Sequence, residues 1–289
     1  MLRQKLALKS FLLINIPESV DSYFQKEVSL TRCSQGVTHA AKDLVASEEP
    51  LEIRVRGRGI AITMRTPGHD SELAAGFLVS EGLLHKRSDV IEIAHCQTGE
   101  NSAAGNIINV FVPPAVKLDL EKLTRHVFAS SSCGLCGKAS IESVHQHFPP
   151  VKSNVQLSND TLCKLPDRLR KGQETFSQTG GLHGSAIFNS NGDLIVLRED
   201  VGRHNAVDKV VGWAFLNDTL PLNQHILMVS GRASFEIMQK ALSANIPIVA
   251  AISAPSSLAV EFALESNQTL VGFLRDNSFN IYSHPERIV

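Results

Sequence analysis

The chain has 289 residues, 43% hydrophobic and 20% charged, enough for one large domain or two ordinary ones with a buried core. Its 28 Lys and Arg against 29 Asp and Glu leave a net charge of −1. That excludes a global pull toward nucleic acid or an anionic membrane, so any anion site must be local. No run of about 18 apolar residues occurs, and no membrane insertion is expected.

The start, Met1-Leu2-Arg3-Gln4-Lys5 followed by apolar residues to Ile16, resembles a signal peptide only faintly, because no small-residue cleavage site precedes Pro17. Residues 1–40 read as an amino-terminal extension, the first thirty poorly ordered or helical. Residues 50–66 alternate in polarity around Gly57 and Gly59 and predict a β-hairpin. Residues 70–84 predict a helix with Asp70 or Ser71 as its N-cap. Strands near 90–96 and 106–112 complete a compact α+β domain over residues 41–120.

Residues 121–289 form the second predicted domain. It begins with Ser131-Ser132-Cys133-Gly134-Leu135-Cys136-Gly137 and a helix-like stretch, 138–144. A helix over 161–176 stops at Gly180-Gly181, and a hairpin over 185–198 turns at Asn191-Gly192. Helix 203–216, strand 226–230, helix 234–244, strand 247–253, helix 256–266 and strand 269–274 follow. Short apolar strands separated by helices predict a largely parallel sheet covered on both faces, a three-layer α/β/α domain.

The Cys133/Cys136 pair is the strongest chemical signal in a chain of five cysteines. A Cys-x-x-Cys pair ahead of a helix favours a reactive thiolate. A structural zinc site needs further ligands at a regular spacing, and Cys33, Cys96 and Cys163 are isolated while His145 and His147 are spaced by two. A thioredoxin-like dithiol would follow an early strand of a small domain, which this pair does not. An odd count with a reactive pair suits a reducing compartment, so a cytoplasmic location is expected.

Ligands of open α/β sheets bind at the carboxyl ends of strands. Three such ends here carry anion-binding chemistry. Ser230-Gly231-Arg232-Ala233-Ser234 offers a guanidinium and a helix cap. Ser253-Ala254-Pro255-Ser256-Ser257 opens a helix with free N–H groups. Arg275-Asp276-Asn277 ends the last predicted strand. Each alone fits an ordinary cap or solvated charge; three at one edge point to a phosphate or nucleotide pocket. The run Arg198–Lys209 crowds two arginines, acids, His204 and Asn205 into one turn and helix start; Asp200 reads as an N-cap and Asp208–Lys209 as a solvated face. Thr179-Gly180-Gly181-Leu182-His183 adds a second glycine-framed histidine.

Together Ser132–Gly137, Thr179–His183, Arg198–Lys209, Ser230–Ser234 and Ser253–Val260 resemble the formate dehydrogenase accessory sulfurtransferase family, FdhD. Glu49-Pro50-Leu51, Arg65–Gly68 and Glu72–Leu78 fit its amino half. The resemblance spans roughly residue 44 to the end. It implies a carrier that takes persulfide sulfur from a cysteine desulfurase. The carrier passes that sulfur to a bis-molybdopterin guanine dinucleotide cofactor needed by formate dehydrogenase. It implies Cys133 as persulfide carrier with Cys136 assisting. It places cofactor binding at Phe273, Leu274, Arg275, Asp276, Asn277 and Ser278 after the last strand. Arg232, Ser256 and Ser257 are then the phosphate ligands, with His183 and His204 near the transfer path. It also implies a homodimer and a cytidine-deaminase-like carboxyl-terminal domain. Deaminases hold zinc with His-x-Glu and Pro-Cys-x-x-Cys; here Ser132 replaces that proline and no His-x-Glu occurs, so no metal is expected. A zinc-dependent hydrolase and a chaperone that binds the cofactor without carrying sulfur are the alternative readings.

Overall fold

A computed structural model describes residues 21–96, 105–118, 144–145 and 147–289. Cys133, Cys136 and nearly all of the helix expected after them lie outside the described residues. Among the described residues no helix is long and apolar enough to cross a membrane.

After a single helical turn, Asp21–Phe24, come β1 (Gln25–Ser34) and β2 (Val37–Ala46), a ten-pair antiparallel ribbon turning at Gln35-Gly36, both at positive φ. This corrects the expectation of disorder or helix for residues 25–30, while residues 21–24 are helical. The ribbon is solvated on most of its length, so no hydrophobic alternation marks it in the sequence. Next come β3 (Glu49–Val55) and β4 (Arg58–Arg65), the predicted hairpin, then α1 (Asp70–Ser80), β5 (Glu92–His95) and β6 (Ile107–Phe111). They make a four-stranded sheet of order β4-β3-β6-β5, in which β3 and β6 run parallel.

The carboxyl part holds α2 (Asn159–Gly172), α3 (Glu174–Thr179), β7 (His183–Asn189), β8 (Leu194–Asp200), α4 (Arg203–Leu216), β9 (His225–Val229), α5 (Phe235–Ser243), β10 (Ile248–Ala251), α6 (Ser257–Glu265), β11 (Thr269–Arg275) and β12 (Ser278–Ser283). The single helix expected over 161–176 is two, broken at Gln173, whose ψ of 77° leaves the helical region. The strand order is β12-β11-β10-β9-β7-β8. Only β9–β10 and β10–β11 are parallel; β7–β8, β7–β9 and β11–β12 are antiparallel, so the sheet is mixed rather than largely parallel. The difference arises because both hairpins sit at the ends of the sheet and only two crossover connections lie between them.

The three layers follow from strand alternation. Ile187, Leu227, Val229, Val249 and Ala251 face α4, α5 and α6. Ala186, Phe188, Ile226, Met228, Ile248 and Ala250 face Leu162, Leu165 and Leu169 of α2. Burying each of these large side chains contributes roughly 1.5–3 kcal/mol.

The amino half joins the first of these clusters through α1. Leu73, Ala74, Leu78 and Val79 share it with Val207, Val210 and Val211 of α4, and with Leu51, Ile53 and Ile108 of the four-stranded sheet. The two helices cross at Gly76 and Gly212. A Cβ on Gly76 would lie 1.8 Å from the Asp208 carbonyl oxygen, and one on Gly212 would lie 1.8 Å from that of Glu72. Only glycine lets the backbones approach this closely.

Candidate functional site

The run Arg198–Lys209 first holds the two halves together. The Asp200 carboxylate accepts from Thr66 N at 3.2 Å, from Gly202 N at 2.8 Å and from Asn205 Nδ2 at 2.9 Å. Lys209 Nζ lies 2.7 Å from Asp200 and donates to the Thr66 carbonyl. Asp208 accepts from Lys240 Nζ at 2.8 Å and from Ser80 Oγ at 3.0 Å. Asp208 is 2% exposed and Lys209 1%, which corrects the reading of this pair as a solvated face. Their consecutive positions point them to opposite partners across one helix. Burial pushes the Asp208 carboxyl up to about 6, against the pull of Lys240. Arg198 forks onto Glu72 of α1 with contacts of 2.5 and 2.7 Å, so it too joins the halves.

The carboxyl edge of the six-stranded sheet is where the other predicted residues meet. Because β7 is antiparallel to β9, its first residue lies beside the end of β9. Gly184 N donates to Ser230 Oγ at 2.9 Å, and a Cβ on Gly231 would lie 3.3 Å from His183 Nδ1 and 3.6 Å from Arg203 Cδ. Ala233 bridges Pro255, Ser256 N donates to the Ala233 carbonyl, and Phe273 N donates to the Ser253 carbonyl. The structure thus brings His183, Arg203, His204, the 230–234 turn, the 253–256 turn and Phe273 to one edge. Phe273 has φ 53°, a left-handed conformation costing a bulky residue roughly 1–2 kcal/mol.

Some predicted ligands are already engaged. Ser256 Oγ accepts from Ala259 N as the cap of α6. Asp276 and Asn277, both at positive φ, are the two-residue turn between β11 and β12, and Ser278 Oγ donates to the Arg275 carbonyl. The segment 273–278 is therefore the end of β11 and a hairpin turn; it does not follow the last strand, because β12 comes after it. The Arg275 guanidinium lies 6.0 Å from the Phe273 ring centre.

Other groups keep free capacity. Ser234 precedes α5 as its N-cap residue yet makes no capping bond. Its Oγ lies 3.2 Å from His204 Nε2, and His204 Nδ1 lies 3.5 Å from Glu236 Oε2. Arg203 Nε is buried without a hydrogen-bond partner. Arg232 is exposed. Burial is the main cause that lowers His204, to about 4, and His183, with Arg203 and Arg232 adding to the shift of His183. Glu236 is the one residue of this group that the sequence reading left out; its place two residues after a cap serine was the available signal.

A separate cleft of about 270 Å³ lies along β8, lined by Gln25, Thr66, His69, Thr175, Arg198 and Glu199 among others. Its charged groups are largely spent: Arg198 on Glu72, and Glu199 on the N–H groups of Thr175 and Phe176. Buried donors without a hydrogen-bond partner also occur at Arg65, Gln173 and Arg287, but the Arg203 donor and the exposed Arg232 lie together with His183, His204 and two helix starts at the carboxyl edge of the sheet, which is therefore the candidate site.

Residues 46–289 match the FdhD/NarQ family. The chain is 50% identical over 266 residues to the sulfur carrier protein FdhD of Streptomyces coelicolor, covering 89% of this chain and 93% of that protein. It is 50% identical over 253 residues to the sulfur carrier protein FdhD of Mycobacterium tuberculosis, covering 85% and 92%. Its fold is similar to the crystal structure of a formate dehydrogenase accessory protein from Desulfotalea psychrophila. The TM-score is 0.74 at 27% identity, with 92% of this chain and all of that one covered. With the family matching nearly the whole carboxyl-terminal five-sixths and such relatives at half identity, this chain belongs to the FdhD/NarQ family.

Proposed function

We propose that this protein is a persulfide sulfur carrier that serves formate dehydrogenase, and that Cys133 holds the sulfur. The observation that carries the reading is the Cys133-Gly134-Leu135-Cys136 pair in a chain half identical to proteins named sulfur carriers. In the loading step the Cys133 thiolate attacks the terminal sulfur of a persulfide on a cysteine desulfurase. A new S–S bond forms at Cys133, the donor's S–S bond breaks, and the donor cysteine leaves as a thiolate. Cys136 is the neighbouring thiol that stabilises or resolves the persulfide.

The sulfur acceptor in this reading is a bis-molybdopterin guanine dinucleotide, treated as a substrate. The carboxyl edge suits its pyrophosphates: a buried Arg203 Nε without a partner and an exposed Arg232 provide donors, and α5 and α6 begin there. Phe273 and the 273–278 turn supply an aromatic wall, and Ser256 and Ser257 a second helix start. His183 and His204, both biased to the neutral form, form polar walls beside that path. Catalysis of sulfur transfer, a cytoplasmic location and a homodimeric assembly complete the proposal.

Incubation with a desulfurase and cysteine should add the mass of one sulfur atom to the intact protein, lost again on reduction. A Cys133→Ala variant that still activates formate dehydrogenase would refute the carrier role and leave a cofactor-binding chaperone.

A further inference from the structure

Ser234, His204 and Glu236 stand in one line at the carboxyl edge of the sheet, the serine hydrogen-bonded to the imidazole and the carboxylate within ion-pair reach of its other nitrogen. Ser234 Oγ is 3.2 Å from His204 Nε2, and His204 Nδ1 is 3.5 Å from Glu236 Oε2. The carboxylate at Nδ1 selects the tautomer protonated there. Nε2 is then an acceptor, so the serine hydroxyl donates to it and turns its lone pairs outward. The arrangement is anchored from behind. Glu236 Oε1 lies 3.7 Å from Lys240 Nζ, and Lys240 is held at 2.8 Å by the buried Asp208. Helix capping does not explain it, because the Ser234 side chain accepts no bond from the α5 backbone. A serine preceding a helix ordinarily spends its oxygen on that bond.

The surroundings suit a phosphorus centre. Ser234 sits where a strand turns into the nine-residue α5, whose first N–H groups have no partner within the helix. Arg203, beside His183 and the Gly231 turn, has a buried Nε without a partner. A tetrahedral, negatively charged phosphoryl group placed against Ser234 would meet the unspent donors of both.

We infer that Ser234 is a nucleophile toward phosphoryl electrophiles, with His204 as its base and Glu236 as the residue that positions His204. In the first step a bond forms from Ser234 Oγ to phosphorus and the bond to the leaving group breaks. The serine proton passes to His204 Nε2 and then to the leaving group. Water returns the serine by the same route, so the net reaction is hydrolysis of a phosphate ester or anhydride. It draws on the same Arg203 and α5 donors that the proposed function gives to the cofactor's pyrophosphates, but labelling of Ser234 is read without sulfur loading, so its failure leaves the sulfur-carrier reading standing.

The test is reaction of the full-length protein with a biotinylated fluorophosphonate, in which fluoride is the leaving group, followed by peptide mass analysis. The label should appear on Ser234 and be absent from Ser234→Ala. His204→Gln should slow labelling by about 100-fold, the usual contribution of a general base. Glu236→Gln should slow it by at least about tenfold, as loss of the orienting carboxylate does in triads.

The groups facing His204 are Glu236 and Lys240 of α5, His183 of β7 and its neighbour Arg203. Burial, helped by Arg203, Lys240 and His183 and opposed by Glu236, holds it neutral to about pH 4, so labelling of the wild-type protein should persist at pH 5. That profile keeps the proposal testable where His204→Gln does not fold. No label on Ser234, a label insensitive to His204→Gln in a folded variant, or wild-type labelling half lost near pH 6.5 would overturn it.

Discussion

His204 shows at the scale of one residue how the site departs from solution behaviour. Its pKa falls from 6.5 to about 4, chiefly through burial. Between those values the unfolded chain binds a proton that the folded one does not. The stability this gives is fully present above pH 6.5 and is lost as pH falls toward 4. His183, shifted the same way, adds to the trend. Unfolding by urea should therefore show stability declining from pH 7 to pH 5, with a smaller decline in His204→Gln. An equal decline in both would remove His204 from that balance. Lys209 gives a second prediction. Lys209→Met leaves the Asp200 carboxylate buried without its cation and should cost about 3–5 kcal/mol, read from the shift in the urea midpoint. A third concerns Arg232. Arg232→Ala should weaken GDP binding roughly ten- to a hundredfold by calorimetry, the loss of one charge-assisted contact. Unchanged affinity would remove Arg232 from the phosphate site. The motif residues were legible in the sequence as a cluster, but their duties were not. Asp208 and Lys209 look like a surface ion pair because adjacency in sequence hides that helical geometry sends them to different partners. Ser234 looks like a cap because propensity cannot reveal a competing histidine thirty residues away.

Among elements, the α1–α4 crossing governs how the halves meet. Gly76→Ala or Gly212→Ala would drive a methyl group into the facing backbone carbonyl, where neither helix has a flexible end to give. Each should destabilise by at least about 3 kcal/mol, at or beyond the upper range for overpacking. A thermal melt within a degree of wild type would contradict the close approach. Most elements could be read from the sequence. The 50–66 hairpin, the helix starting at Asp70, and the strand–helix alternation after residue 203 carry strong periodicity and clear turn residues. The β1–β2 ribbon could not, since a strand solvated on both faces has no hydrophobic period. β12 was hidden by the Asp276-Asn277 turn, whose paired positive φ values make a tight hairpin from residues that also read as a loop. Of the two antiparallel hairpins that make the sheet mixed, the one over 185–198 is legible at Asn191-Gly192, while the β11–β12 hairpin and the antiparallel pairing of β7 with β9 are not.

For the whole molecule, the predicted boundary near residue 120 separates two stretches of sequence that nonetheless share an apolar cluster through α1 and α4. The ion pairs Lys209–Asp200 and Arg198–Glu72 lie along the same junction. The family's long motifs have a physical explanation here: Arg198–Lys209 supplies the junction and, one helical turn away, His204 of the candidate site. Light scattering at micromolar protein should give a dimer mass; a clean monomer would refute the proposed assembly. The most direct measurement is peptide mapping after sulfur loading by a desulfurase with cysteine. A persulfide carrier of the proposed kind places the added sulfur on the peptide bearing Cys133 and Cys136. Sulfur found on Cys33, Cys96 or Cys163, with the Cys133 peptide unmodified, would contradict it.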